Sequence, residues 1–272
     1  MRTWRINKLA FFCWSLVAAW GASWAWAQEG DLSLRIAGSV HSQSEASRAE
    51  RAAGIGSDLQ MLFRLWGGLH VKVGAGYDYL WLRQRDVLDE WHWDYWEKTY
   101  IDFLPGAKVQ HVNQTLRYTS ADSIYSAVFH PSQQLKELRL LVGVEQVVPL
   151  TRRWNLGAAG AVGVDFFYRE LEMREDWTKR FNVDTTSADL DYAFHYRLLH
   201  FAPTRKGASV FVAPSLGVRV AASSAVDIGW EVAYVHYLRG ERTLGVRLSE
   251  DGSRWLPLRG KLMCSLGVTF KY

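Results

Sequence analysis

The densest group of chemically capable side chains is Trp91-His92-Trp93-Asp94-Tyr95-Trp96, with Asp86, Asp89, Glu90 and Glu97 close by. Aromatic rings beside carboxylates and an imidazole can stack on a ligand, enter a lipopolysaccharide layer, or supply a His/Asp pair for hydrolysis. The same residues can also pack as an amphipathic loop over whatever lies beneath them. Trp91, His92, Trp93, Asp94 and Trp96 therefore form a candidate ligand patch. Asp191 and His195 provide a second acid and imidazole, which meet Asp86, His92 and Asp94 only if the fold brings two segments together. A metal at His195 and His200, or at His92 and Asp94, would need a convergence that no spacing enforces, so neither a metal nor a cofactor is expected. His236 has no nearby serine, and there is no nucleophile-elbow motif.

The ends of the chain say where these residues work. Arg2, Arg5 and Lys8 precede an apolar run from Leu9 to Trp26, and Ala25-Trp26-Ala27 offers a small-x-small cleavage site. This pattern predicts a cleaved signal peptide over residues 1–27 and a mature domain over 28–272 beginning at Gln28. Cleavage removes three basic residues and no acidic ones, so 32 basic and 28 acidic side chains become 29 and 28. The basic balance belongs to the leader, and a nucleic-acid partner has no support. Only Cys264 survives cleavage, which excludes an intramolecular disulfide. No second apolar run is long enough for a membrane helix, which leaves a secreted β-domain or a barrel.

Periodicity favours the barrel. Tyr272, Phe270, Val268, Leu266, Cys264 and Leu262 fall on one face of a strand, while Lys271, Thr269, Gly267, Ser265, Met263 and Lys261 fall on the other. The same alternation runs through Leu32–Val40, Leu59–Leu65, Leu69–Trp81, Leu138–Val148, Leu156–Tyr168, Val210–Val220 and Val226–Tyr234. Pro214 removes a ladder donor and suggests a bulge. Links near residues 67, 152 and 223 are short, whereas those over 43–56, 85–135, 172–207 and 239–257 are long. Short turns at one rim and long loops at the other are the signature of an outer-membrane barrel. The expected fold is an all-β, antiparallel up-and-down transmembrane barrel of eight strands. A crossing hairpin within 109–130 would make ten; the irregular alternation of Val112, Leu116 and Tyr118 favours a tall extracellular hairpin instead.

The leader, the eight alternating strands, the short-turn rim and the apolar-ended last strand resemble the small eight-stranded outer-membrane β-barrel proteins. The resemblance is one of pattern over the whole mature chain. It implies that Tyr272, Phe270 and Val268 are the signal read by the barrel assembly machinery, and that the domain resides in a Gram-negative outer membrane. Outer-membrane lipid, lipopolysaccharide and a possible extracellular ligand are the other expected partners.

Sorting inward positions gives nine bases and seven acids, among them Arg35, Arg64, Lys72, Arg139, Arg219, Asp78, Glu145, Asp165 and Glu231. An eight-stranded lumen is about wide enough for its own side chains, so these charges are expected to pair as a polar core. Tyr79, Trp81, Phe166, Tyr168, Trp230 and Tyr234 should girdle the loop end, and Trp154 the turn end. The expected role is structural or surface-interacting, carried by the long loops, and not enzymatic. A small-solute porin is the alternative. A rim hydrolase resembling the omptin barrel proteases, through Asp86, His92, Asp94, Asp191 and His195, is a further one.

Overall fold

The computed structural model describes residues 32–46, 49–84, 87–102, 115–119, 123–181, 193–238 and 255–272. The predicted leader and its cleavage point lie outside them. The strands are β1 (Leu32–Ala46), β2 (Arg51–Trp66), β3 (Leu69–Arg83), β4 (Thr115–Thr119), β5 (Ser123–Pro149), β6 (Trp154–Phe181), β7 (Ala193–Phe201), β8 (Arg205–Ala221), β9 (Val226–Leu238) and β10 (Leu258–Lys271). Between β3 and β4 lie two short helices, α1 (Val87–Glu90) and α2 (Asp94–Trp96), and a wider π-type turn over Glu97–Asp102.

Eight strands close a ring in the order β1-β2-β3-β5-β6-β8-β9-β10, with β10 returning to β1 from Ser33↔Lys271 to Ala46↔Leu258. Every neighbouring pair is antiparallel. β4 and β7 stand outside the ring: β4 pairs only with the upper part of β5, and β7 only with the upper part of β6. Thr115–Thr119 therefore belongs to an extracellular hairpin and does not cross; residues 109–114 lie outside the described set. The long links proposed over 85–135 and 172–207 are not plain loops. β5 and β6 extend to 27 and 28 residues and rise past the barrel as a four-stranded sheet, β4-β5-β6-β7. The sequence obscured this because Glu172, Arg174 and Asp176 put charge where the lipid-facing strand had apolar residues.

The short turns follow from local chemistry. Gly67 adopts φ 54°, the left-handed conformation that a two-residue turn demands and glycine tolerates. At the second turn, the amides of Leu150 and Thr151 both donate to the Trp154 carbonyl. At the third, Ala222 and Ser223 donate to Val226. The bulge expected at Pro214 is absent. Pro214 pairs with Gly160 on β6, and the β8–β9 register before and after it, Val212↔His236 and Ser215↔Ala233, is unshifted. Losing one donor interrupts that ladder without inserting a residue.

The outward face carries Ile36, Val40, Ile55, Leu140, Val142, Val144, Val162, Leu216 and Leu266, all exposed. In water such a band would be unfavourable; against hydrocarbon it is the solvent-matched surface of a closed barrel. Trp81, Phe166 and Tyr168 border it above and Trp154 below, all exposed. Trp66, 71% exposed, joins the lower rim. Trp230 departs from expectation: it lies four residues above the start of β9 and eight below its end, nearer the turn rim.

Close packing between strands fixes several glycines. A Cβ on Gly143 would meet the Gly160 carbonyl oxygen at 2.3 Å and Ala161 Cα at 2.8 Å. Gly143→Val should therefore destabilise the barrel by about 1–3 kcal/mol through overpacking. Urea titration of the heat-modifiable band on SDS-PAGE checks this; an unchanged midpoint would contradict the packing.

Candidate functional site

Going up the barrel, the inward side chains change from charged to apolar. In the lower half, Arg35 on β1 reaches Glu145 on β5 at 2.9 Å and Glu231 on β9 at 2.7 Å. Lys72 on β3 approaches the other Glu231 oxygen at 3.5 Å, and Arg219 pairs with Glu145. The cavity left among Arg35, Glu145, Arg219 and Glu231 is about 20 Å3, room for a water molecule and little else.

One level higher, Arg139 on β5 bridges Asp58 at 2.6 Å and Asp78 at 2.9 Å. Lys261 on β10 binds the same Asp78 oxygen, Oδ2, at 2.7 Å and also contacts Glu137. The Tyr237 hydroxyl donates to Glu137 at 3.0 Å. His41 Nε2 lies 3.1 Å from Asp78 Oδ1. Each of these side chains is buried, which is tolerable only because the charges are paired and hydrogen-bonded. Asp165 is also fully buried, beside Arg139 in the β5–β6 register.

Of the charges read from the sequence, Arg35, Lys72, Asp78, Arg139, Glu145, Asp165, Arg219 and Glu231 occupy the lumen. Arg64 does not. It is exposed at the turn rim and donates to the Gly67 carbonyl, because its strand ends there. Arg259 is exposed as well, and Lys271 pairs with Asp227 at the rim at 2.7 Å.

The top of the lumen is apolar, where the sequence reading expected a polar core throughout. Leu80, Leu135, Phe167, Leu171, Met173, Phe211 and Leu258 are buried there together with Val87, Leu88, Trp91, Trp93, Trp96 and Tyr100 from the segment between β3 and β4. That segment folds into the mouth as a cap. Trp91 is fully buried, donates its indole N–H to the Pro203 carbonyl at 3.0 Å and lies under the Arg169 guanidinium. Trp96 donates to Asp89 at 3.2 Å and packs edge-on against Phe129. The cap's second anchor is Glu175 on β6, which is fully buried. It accepts from Tyr95 at 3.0 Å, Tyr100 at 2.7 Å and Trp177 at 2.7 Å, while His200 on β7 lies 3.3 Å away. Tyr95 also stacks on His200, with ring centroids 4.2 Å apart.

The candidate ligand patch thus splits. Trp91, Trp93 and Trp96 point into the cap, whereas His92 and Asp94 are exposed, 60% and 80% by side chain. His92 lies 3.5 Å from Glu97, and Asp94 pairs with Lys98 one helical turn on. Of the groups proposed for rim hydrolysis, His195 contacts Thr178 on the outer sheet while His92 and Asp94 contact Glu97 and Lys98 on the cap, and Asp86 and Asp191 lie outside the described residues. Among the described residues no three metal-ligating side chains converge. Sequence reasoning missed Glu175 and Tyr100 and weighed His200 only as a metal ligand; the isolated glutamate between Arg174 and Asp176 gave no sign that it faces inward. Tyr272, Phe270 and Val268 lie at the lower end of β10 and face outward, Phe270 opposite Leu34 and Val268 opposite Ile36.

Two tests address this architecture. Lys261→Met strands Asp78 and Glu137 without their shared cation and should cost roughly 3–5 kcal/mol, read from the urea midpoint of the folded band. The cap should respond to alkali. Burial, reinforced by the Glu175 carboxylate against an opposing contact with Tyr100, pushes the Tyr95 phenol up to about 12. Burial and then Glu175 push Tyr100 up as well. A phenol held neutral in the docked cap but free to ionise once undocked stabilises docking fully below pH 10, and loses that contribution as pH rises from 10 towards 12. Tyrosinate absorbance at 295 nm should lose two late-titrating groups when Tyr95 and Tyr100 are both changed to Phe, and Glu175→Gln should bring those two earlier without making them ordinary, since burial remains; an unchanged late phase in the double-Phe variant would overturn the assignment.

No family model and no curated relative matches the sequence. Solved structures do share its form. Neisserial surface protein A aligns with 89% of this chain and 97% of its own at 9% identity and a TM-score of 0.42. Ail, the attachment invasion locus protein of Yersinia pestis, aligns with 90% of this chain and 100% of its own at 10% identity and a TM-score of 0.38. The N-terminal β-barrel domain of Pseudomonas aeruginosa OprF aligns over 90% and 100% at 9% identity and a TM-score of 0.29. At these identities and TM-scores the alignments carry no argument of their own. The closed ring, the apolar exterior and the ion-paired interior give this chain the architecture of a small eight-stranded outer-membrane β-barrel.

Proposed function

We propose that this barrel is a closed membrane anchor that displays an ordered sheet at the cell surface, and that the displayed part carries its interactions. The observation behind this reading is the division of the chain. The lumen is filled by ion pairs below and sealed by the Trp91–Tyr100 cap above, while β5 and β6 continue for a dozen residues beyond the ring and recruit β4 and β7. A porin would be expected to leave a water-filled path lined by one dominant charge or by small residues. Phe194, Leu198, Leu199 and Phe201 on the edge strand β7 are exposed, giving the sheet apolar side chains to offer a protein or glycan surface.

The test uses cells displaying either the full chain or a variant lacking residues 86–132 and 173–203, which keeps the ring. Heat-modifiable mobility confirms that both barrels are assembled. Full-chain cells should bind at least one of a panel of immobilised matrix proteins and sulfated glycans, and cells with the shortened barrel should bind none. Equal binding by both would refute a role for the displayed sheet. In planar bilayers the full chain should show no steady conductance, and an open ohmic channel would favour solute passage instead.

A further inference from the structure

The outward face of the β4–β7 sheet has a chemistry of its own, distinct from the cap and from the free edge of β7. Along β6, Leu156 to Tyr168 is the lipid-facing run, ending at the exposed ring of Tyr168. Twelve steps of about 3.3 Å, tilted by about 40°, rise roughly 30 Å, a hydrocarbon thickness. Tyr168 therefore marks the outer interface. Above it on β6, the outward residues are Glu170, Glu172, Arg174, Asp176, Thr178 and Arg180.

Around Asp176 three cationic or ionisable groups from three strands converge. Arg197 on β7 lies 2.7 Å away, Arg174 on β6 3.2 Å and His130 on β5 3.2 Å. The hydrogen bond from Arg197, aided by Arg174 and His130, holds the Asp176 carboxyl below its ordinary value. One carboxylate thus serves to array two guanidinium groups, whose side chains remain 42% and 66% exposed. Among the described outward positions of these four strands from Lys136 and Tyr168 upward, the bases Arg117, Lys136, Arg174, Arg180 and Arg197 outnumber the acids Glu170, Glu172 and Asp176. Directly below the cluster, Leu199 pairs in register with Arg174 and Phe201 with Glu172, both apolar side chains exposed.

Height decides which anion fits. Arg174 and Asp176 lie six and eight residues above Tyr168, about 15–20 Å beyond the hydrocarbon at the same rise and tilt. Phospholipid headgroups reach only about 5–8 Å beyond it. A lipid whose headgroup is a long anionic sugar chain spans that gap. We infer that Arg174 and Arg197, arrayed by Asp176, bind the phosphate and carboxylate groups of the core oligosaccharide of lipopolysaccharide, with Leu199 and Phe201 covered by the sugar faces below. Arginine suits this role because its planar fork binds phosphate or carboxylate through two parallel hydrogen bonds. Such a lipid would lie against the outer side of the sheet and cover Leu199 and Phe201, leaving Phe194 and Leu198 on the opposite face of β7 for a surface partner.

Native mass spectrometry of the full chain in detergent, with purified lipids added, tests this directly. The protein should retain lipopolysaccharide bearing a phosphorylated core about tenfold better than lipid A lacking the core, as expected for charge-assisted bonds to two guanidinium groups. Arg174→Glu with Arg197→Glu should abolish that preference while the heat-modifiable band persists, and Arg174→Lys with Arg197→Lys, which keeps the charge but not the paired bonds, should keep only part of it. Equal retention of core-bearing lipopolysaccharide and lipid A by the unaltered protein would overturn the inference without recourse to any variant. So would undiminished preference in a correctly assembled double-glutamate protein, or equal retention of phosphatidylglycerol.

Discussion

Hydrocarbon offers no partner to a backbone N–H or C=O, and every other feature of this molecule accommodates that fact. Eight strands satisfy one another only by closing, so the first strand must find the last, and Leu34 comes to lie beside Phe270. Closure at this strand number fixes a narrow interior. The interior then has to be filled, and the inward positions of strands that alternate strictly supply the filling. Most charged side chains enter there in sets whose members neutralise one another: Arg35 between Glu145 and Glu231, Arg139 between Asp58 and Asp78, Lys261 between Asp78 and Glu137. The bonds cross between strands distant in sequence, so they also hold the cross-section of the ring in one shape.

The same constraint stops at the outer interface, and the character of the chain changes there. Above Tyr168 the outward face becomes charged and the inward face apolar, an inversion of the barrel proper. Leu171, Met173 and Phe129 now look towards a conventional hydrophobic core, which the cap completes with its tryptophans. Arg169 and Glu175 are buried charges on that face, and the surroundings of Glu175 explain its tolerance: two phenols and an indole donate to it, so a buried anion is solvated by neutral groups.

This inversion also sets what could be read from the sequence. The ring strands were legible because apolar residues recur at every second position from Leu138 to Val144 or from Leu262 to Phe270, the period imposed by lipid on one side and a lumen on the other. The sheet above was not. Both its faces meet mixed surroundings, so over residues 172–181 and 193–201 polar and apolar side chains fall on either face with no period of two, and the segments pass for loop. Arg64 shows the complementary failure: parity assigned it inward, but parity cannot say where a strand runs out. For the cap, composition identified the segment and even the option of packing over the mouth. Which members turn inward depends on α1, α2 and the π-type turn, whose lengths of three to six residues are too short to leave a helical period.

The seam between β1 and β10 joins the two ends of the folded domain, with Arg35 and Thr269 lying 234 positions apart. Closing that contact comes after almost everything else has been threaded, and the entropy of so large a loop must be met before the last ladder returns any bonding. Until then both terminal strands present bare edges, the very feature that invites aggregation. The barrel's finished form is thus highly self-sufficient and its unfinished form is not. A chain built this way is committed, during the interval before closure, to being held by something other than itself.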